Sequence, residues 1–138
     1  MSGTDSNKIR RKETGYFTTP EAIARLMLTV GEIFDPDSVI DIACGEGSIL
    51  KHCKYAKSLT GIDINQELIQ FAQNEILEAE LIVADSLHYP FNRKYDLVIS
   101  HIPFGAGYID GNRRGQYEKL FTKKALVSCQ LCNVVYYL

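Results

Sequence analysis

Short β-branched apolar runs alternate along this chain with stripes of helical period. That alternation restricts the fold more than any other feature. The runs cover residues 38–42, 58–63, 80–84 and 95–100. Each is apolar nearly throughout rather than at every second position, as expected of strands covered on both faces. Between them, apolar residues recur three and four apart. The first such stretch runs to about residue 34, with Ile23, Leu26, Met27, Val30, Ile33 and Phe34 as its stripe. Thr18 and Glu21 have capping-box spacing, Pro20 suits the first turn, and Asp35-Pro36-Asp37 ends the helix. A short helix is expected through Ile49, Leu50 and Cys53. Asn65 is placed to cap another, striped by Leu68, Ile69, Ala72, Ile76 and Leu77. A last helix is expected over residues 116–127 and a last strand over 134–138. The pattern predicts an α/β domain of Rossmann-like form, with a mostly parallel sheet and helices on both faces.

The chain has 138 residues, enough for one domain with its own core. Residues 1–13 are polar, with Lys8, Arg10, Arg11 and Lys12 close together, and read as a solvated arm. Residues 14–138 make the core domain. A formal net charge of −2 gives no whole-molecule field toward nucleic acid, so any such contact must come from local patches. No apolar run has the length of a membrane span, and the N-terminus has no apolar segment of signal-peptide type. With four cysteines and no such segment, reduced thiols and a cytoplasmic location are expected.

The residues with most chemical content stand where strands should end. Asp41-Ile42-Ala43-Cys44-Gly45-Glu46-Gly47 closes the first run. Two glycines there let a ligand approach the backbone, and a helix beyond would offer free N–H groups. A dinucleotide fingerprint would want a third glycine where Leu50 stands. Asp41, just ahead of the turn, favours a cationic group over phosphate. Asp63, 18 residues after Gly45, stands where a carboxylate takes ribose hydroxyls in nucleotide-type folds. Asp85, followed by Ser86, would border the same crevice, within reach of an adenine amino group. A plain tight turn and solvated strand-end aspartates are the alternative reading of the same residues.

Taken together, residues 15–20 (GYFTTP), 41–47 (DIACGEG), 61–65 (GIDIN), 84–86 (ADS) and 100–105 (SHIPFG) occur in the order and spacing of S-adenosylmethionine-dependent adenine-N6 DNA methyltransferases. The chain resembles that family, and within it the modification subunits of type I restriction systems, over roughly residues 8–127. The resemblance implies a class I methyltransferase core with S-adenosylmethionine as cofactor. It implies that Phe17, Thr18 and Thr19 line the methionine side. Asp41, Cys44, Gly45 and Gly47 would wrap the amino-acid end, Asp63 and Ile64 hold ribose and adenine, and Asp85 and Ser86 contact the adenine ring. His101-Ile102-Pro103-Phe104 stands in the place of the catalytic tetrapeptide, which in the family begins with asparagine. The adenine amine is a poor nucleophile because its lone pair is delocalised into the ring. Acceptors on both hydrogens, the asparagine side chain and a backbone carbonyl, help to localise that pair. Ile102 keeps the carbonyl, Pro103 holds the segment extended, and Phe104 can stack on a flipped base. His101 offers at most one imidazole lone pair from a differently placed atom.

Two further departures concern the C-terminus. The family has two more strands and a target-recognition region or separate subunit, so the core is expected to be partial. An apolar strand over 134–138 would then present an edge for a homodimer or partner subunit. Ser128-Cys129-Gln130-Leu131-Cys132 replaces the family's usual proline-glycine turn. Cys129 and Cys132, without a second pair, read as incidental thiols rather than zinc ligands, and no metal is expected. His52 and His88 read as surface residues. Arg113, Arg114, Lys119, Lys123 and Lys124 form a basic cluster that could meet DNA phosphates or be a solvated helix face. Three functions follow: adenine-N6 methylation of DNA, methylation of another amine on RNA or protein, or a catalytically inactive remnant that binds cofactor or a partner subunit.

Overall fold

The computed structural model describes residues 18–102, 114–129 and 134–137. Five strands form one sheet: β1 (Ser38–Asp41), β2 (Ser58–Asp63), β3 (Ala79–Val83), β4 (Leu97–His101) and β5 (Val134–Tyr137). Their order is β3-β2-β1-β4-β5, and every pairing is parallel. Helices α1 (Glu21–Glu32), α2 (Gln66–Glu75) and α3 (Arg114–Ser128) complete the fold. The expected Rossmann-like architecture is therefore present. Strand order reverses between β1 and β4, so a crevice opens at their carboxyl ends.

Burial on both faces explains why β1 and β4 are apolar without alternation, whereas β3 has no fully buried residue. Val39, Leu97 and Ile99 pack with Ala24, Met27 and Leu28 of α1 and with Ile69 and Ile76 from the α2 side. Ile40, Ile62, Val98 and Ile102 pack on the opposite face with Phe121 and Ala125 of α3.

The structure corrects several local expectations. Pro20, not Thr18, is the N-cap residue of α1, and no side chain caps that end. The α1 stripe is also rotated from the one predicted. Ala24, Met27, Leu28 and Gly31 are buried, while Leu26, Val30, Ile33 and Phe34 are exposed. The reason is close approach: a Cβ on Gly31 would lie 2.7 Å from Leu97 Cδ2 and 2.8 Å from the Tyr55 hydroxyl. Ala24 and Gly31 share the buried face with Met27 and Leu28, and a search for large apolar side chains passes over those two small residues. The expected helix through Ile49, Leu50 and Cys53 is a three-residue 3-10 turn, Leu50–His52. Leu77, assigned to the α2 stripe, is exposed. Asn65 does cap α2, its side-chain oxygen accepting from the backbone N–H of Glu67 and Leu68. The expected last strand is present as β5. The arm over residues 1–13, Phe17, Pro103, Phe104, Arg113 and Cys132 lie outside the described residues. No helix among the described residues is long and apolar enough to cross a membrane.

Candidate functional site

Every strand-end acid singled out in the sequence borders the crevice, but each has a definite partner. Asp63, at the end of β2, accepts the Gly45 N–H on Oδ2 and the Asn65 N–H on Oδ1, both at 2.9 Å. It therefore ties the glycine turn of β1 to its own strand. Each carboxylate oxygen retains a second lone pair for a ligand hydroxyl. Burial pushes the Asp63 carboxyl up, and the backbone N–H groups of Asn65 and Gly45 oppose it.

The turn after β1 needs its glycines. Gly45 and Gly47 have φ of +54° and +81°. A Cβ on Gly47 would also lie 2.5 Å from Ile76 Cδ1. Left-handed backbone and overpacking each cost about 1–2 kcal/mol. Gly47→Ala is therefore expected to lower stability by roughly 2–3 kcal/mol. Equilibrium urea unfolding checks this, and an unchanged midpoint would contradict it. Cys44 joins the turn through its backbone and through its thiol, which lies 3.7 Å from the Gly45 carbonyl. Its side chain is buried, and a Cβ on Gly61 would stand 2.8 Å from its sulfur. Burial pushes the Cys44 thiol up, which keeps it protonated.

Asp41, at the end of β1, is 1% exposed. Its Oδ1 accepts the Ala43 N–H at 3.0 Å and the Ser100 hydroxyl at 2.8 Å. Among the described residues its Oδ2 is buried without a hydrogen-bond partner. Burial pushes the carboxyl up to about 7, against the hydrogen bonds from Ala43 and Ser100, with the Asp63 charge adding to the rise. A buried carboxylate oxygen left unpaired is costly, and a ligand cation is the partner that fits it. Ser100 did not stand out in the sequence. It lies in a strand buried on both faces, where alternation carries no signal, and its partner is 59 residues away.

His101 ends β4 and is half-buried. Its Nδ1 lies 2.9 Å from the Thr19 hydroxyl, in the segment before α1. Thr19 thus reaches across the crevice instead of capping its helix. Burial pushes the His101 imidazole down, toward the neutral form. Ile102 follows, with its side chain fully buried in the core.

Asp85 and Ser86 follow β3. Asp85 Oδ1 accepts the Leu87 N–H at 3.0 Å, and Oδ2 pairs with His88 Nδ1 at 2.7 Å. The Ser86 hydroxyl donates to the Ile42 carbonyl. Ser86 therefore joins the β3 loop to the β1 turn, and its hydroxyl proton is committed there. Ile64, just past β2, is 71% exposed at the lip of the crevice. Thr18 is half-buried beside Thr19.

Other expectations resolve less uniformly. His88 is exposed, as expected, in its pair with Asp85. His52 is half-buried, and burial pushes its imidazole down. In the basic cluster, Lys119 and Lys123 are exposed. Lys124 instead donates to the Tyr89 carbonyl at 2.7 Å and sits 5.0 Å from the Phe91 ring centroid. Cys129 is buried, its sulfur 3.7 Å from the Asp96 carbonyl. Among the described residues no three His, Cys, Asp or Glu side chains are grouped to hold a metal ion.

Residues 39–114 match the family described as Methyltransferase domain. The chain belongs to that family. A curated relative, a type II methyltransferase from Paramecium bursaria Chlorella virus XZ-6E, is 27% identical over 101 residues, which is 71% of this chain and 26% of the relative. The chain thus spans about a quarter of that relative's length. Two solved structures show the same fold. A putative RNA methyltransferase from Pyrococcus horikoshii superposes with a TM-score of 0.66 at 21% identity, covering 82% of this chain and 58% of its own. The plantazolicin methyltransferase BpumL, solved in complex with SAH, gives 0.65 at 24% identity, covering 94% and 51%. This is the fold of S-adenosylmethionine-dependent methyltransferases, the cofactor expected from the sequence.

The methyltransferase crevice suits that cofactor better than a dinucleotide. The Asp41 oxygen asks for a cation, which the methionine ammonium provides, and Asp63 retains acceptors for a diol. The dinucleotide reading needs a helix N-terminus after the glycine turn. Here there is only the 3-10 turn, with Leu50 fully buried where the third glycine would stand.

Proposed function

We propose that this methyltransferase domain binds S-adenosylmethionine in the crevice at the carboxyl ends of β1, β2 and β4 and serves methylation of adenine N6 in DNA. The single observation that carries the cofactor assignment is the buried, unpaired Asp41 Oδ2 beside a glycine turn held by Asp63. When bound, S-adenosylmethionine supplies a methyl group on a sulfonium. Asp41 pairs with its ammonium, Asp63 accepts from its ribose hydroxyls, and Ile64 covers its adenine.

For the substrate, the reading rests on His101 and Ile102 at the end of β4, where the family resemblance places the groups that accept the amine hydrogens. The viral relative is described as a type II methyltransferase, which fits the restriction-modification resemblance. The RNA methyltransferase neighbour keeps an RNA amine as an outcome of the test. A non-catalytic, cofactor-binding role is the second reading, favoured by His101 standing where the family has asparagine. We further propose that the outer edge of β5 pairs with a second chain. Sedimentation showing only monomer at high concentration would dismiss that pairing.

Calorimetric titration with S-adenosylmethionine and NAD side by side tests the cofactor. Binding of the first and none of the second is expected. Asp63→Ala should weaken binding by about 10–100-fold, since hydrogen bonds to a charged group contribute roughly 1.5–3 kcal/mol. Unchanged affinity in Asp63→Ala, or preference for NAD, would overturn the assignment.

A further inference from the structure

We propose that Ser100 is a positioning residue for cofactor binding, holding the Asp41 carboxylate so that Oδ2 is presented to the cofactor ammonium; this rests on the cofactor reading above. Ser100 is fully buried at the carboxyl end of β4, the strand paired with β1 across the switch point. Its hydroxyl donates to Asp41 Oδ1 at 2.8 Å, and the Ala43 N–H donates to the same oxygen at 3.0 Å. Two donors converge on one oxygen, and the other oxygen has none. That asymmetry fixes the rotation of the carboxylate and favours its ionised form. The donors come from different elements, Ala43 from the turn of β1 and Ser100 from β4. Ala43 alone would leave the carboxylate able to swing about its own turn. Ser100 also directly precedes His101. One strand end therefore positions the Asp41 carboxylate and carries the residue proposed to face the substrate amine.

The experiment compares two adenosine thioethers, S-adenosylhomocysteine, which has the ammonium, and 5′-methylthioadenosine, which lacks the amino-acid moiety. Binding of each is measured calorimetrically to the full chain, to Ser100→Ala and to Ser100→Thr. Ser100→Ala should weaken S-adenosylhomocysteine about tenfold or more, the scale of a hydrogen bond to a charged group. Its affinity for 5′-methylthioadenosine should change less than twofold, which also shows that the crevice is still folded. Ser100→Thr, which keeps a hydroxyl, should recover most of the lost affinity. Equal loss of both ligands in Ser100→Ala would make Ser100 a merely structural residue and overturn the proposal. So would unchanged affinity for both. If the unmodified chain binds neither thioether, the cofactor reading itself fails, and the Ser100 proposal falls with it.

Discussion

Replacing His101 with asparagine is expected to raise methyl transfer to adenine-rich DNA by about 10²–10³-fold over wild type, the usual effect of one well-placed polar group on a developing charge. The physical cause lies in the imidazole. Burial favours its neutral form, which has a single ring-nitrogen lone pair. Nδ1 lies 2.9 Å from the Thr19 hydroxyl. In the tautomer whose Nδ1–H donates to Thr19, the lone pair of the ring lies on Nε2. The competing tautomer, in which Thr19 donates to Nδ1, turns Nε2 into a donor that repels an amine hydrogen. An asparagine carries its acceptor oxygen and its donor nitrogen on one planar group and can satisfy both sides at once. Tritium transfer from labelled cofactor, measured at low salt for wild type and His101→Asn, decides the matter. Robust wild-type turnover would show that the imidazole already serves as the acceptor. Silence from both would favour the non-catalytic reading.

Asp41→Asn should separate cofactor binding from stability. Loss of the carboxylate removes the ammonium's partner, and affinity for S-adenosylmethionine should fall by at least about 100-fold, since a buried charge partner contributes several kcal/mol. Without cofactor, the same change should stabilise the fold at alkaline pH. The folded-state carboxyl is raised to about 7 from its ordinary 3.8, chiefly by burial. A raised acid contributes stability that is complete below its unfolded value and is lost as pH climbs through the folded one. The wild type should therefore lose stability between about pH 4 and pH 7, by an amount on the order of a few kcal/mol. Asp41→Asn should show a flatter profile in that window and exceed wild type at pH 8. Asp63 is raised in the same direction but is present in both proteins, so the difference between the two curves isolates Asp41. Wild-type cofactor affinity should also fall roughly tenfold per pH unit below 7, because binding then has to expel a proton. Denaturant unfolding from pH 4 to pH 8 and calorimetry over the same range provide the measurements. Superimposable unfolding profiles, or tight binding by Asp41→Asn, would sink the assignment.

The linear chain was informative wherever one short stretch carries the cause. Continuous apolar strands report burial on both faces, and alternation with helical stripes reports a parallel sheet. Asn65 caps α2 through atoms two and three residues away. Gly45 and Gly47 mark a turn whose left-handed backbone depends on those residues alone. Asp41 and Asp63 could be placed at strand ends because strand ends are local events. Packing between distant segments settled the rest. The Thr19 hydroxyl meets His101, 82 residues on, because β4 delivers that ring to the segment before α1, a pairing no local pattern announces. Periodicity selected only Met27 from the buried face of α1; Ala24, Leu28 and Gly31 complete it, with Gly31 allowing close approach to Leu97. Ser100 looks like any polar residue closing a strand. Its meaning comes from the pairing of β4 beside β1, which brings its hydroxyl to one oxygen of a buried carboxylate and leaves the opposite oxygen without a hydrogen-bond partner among the described residues.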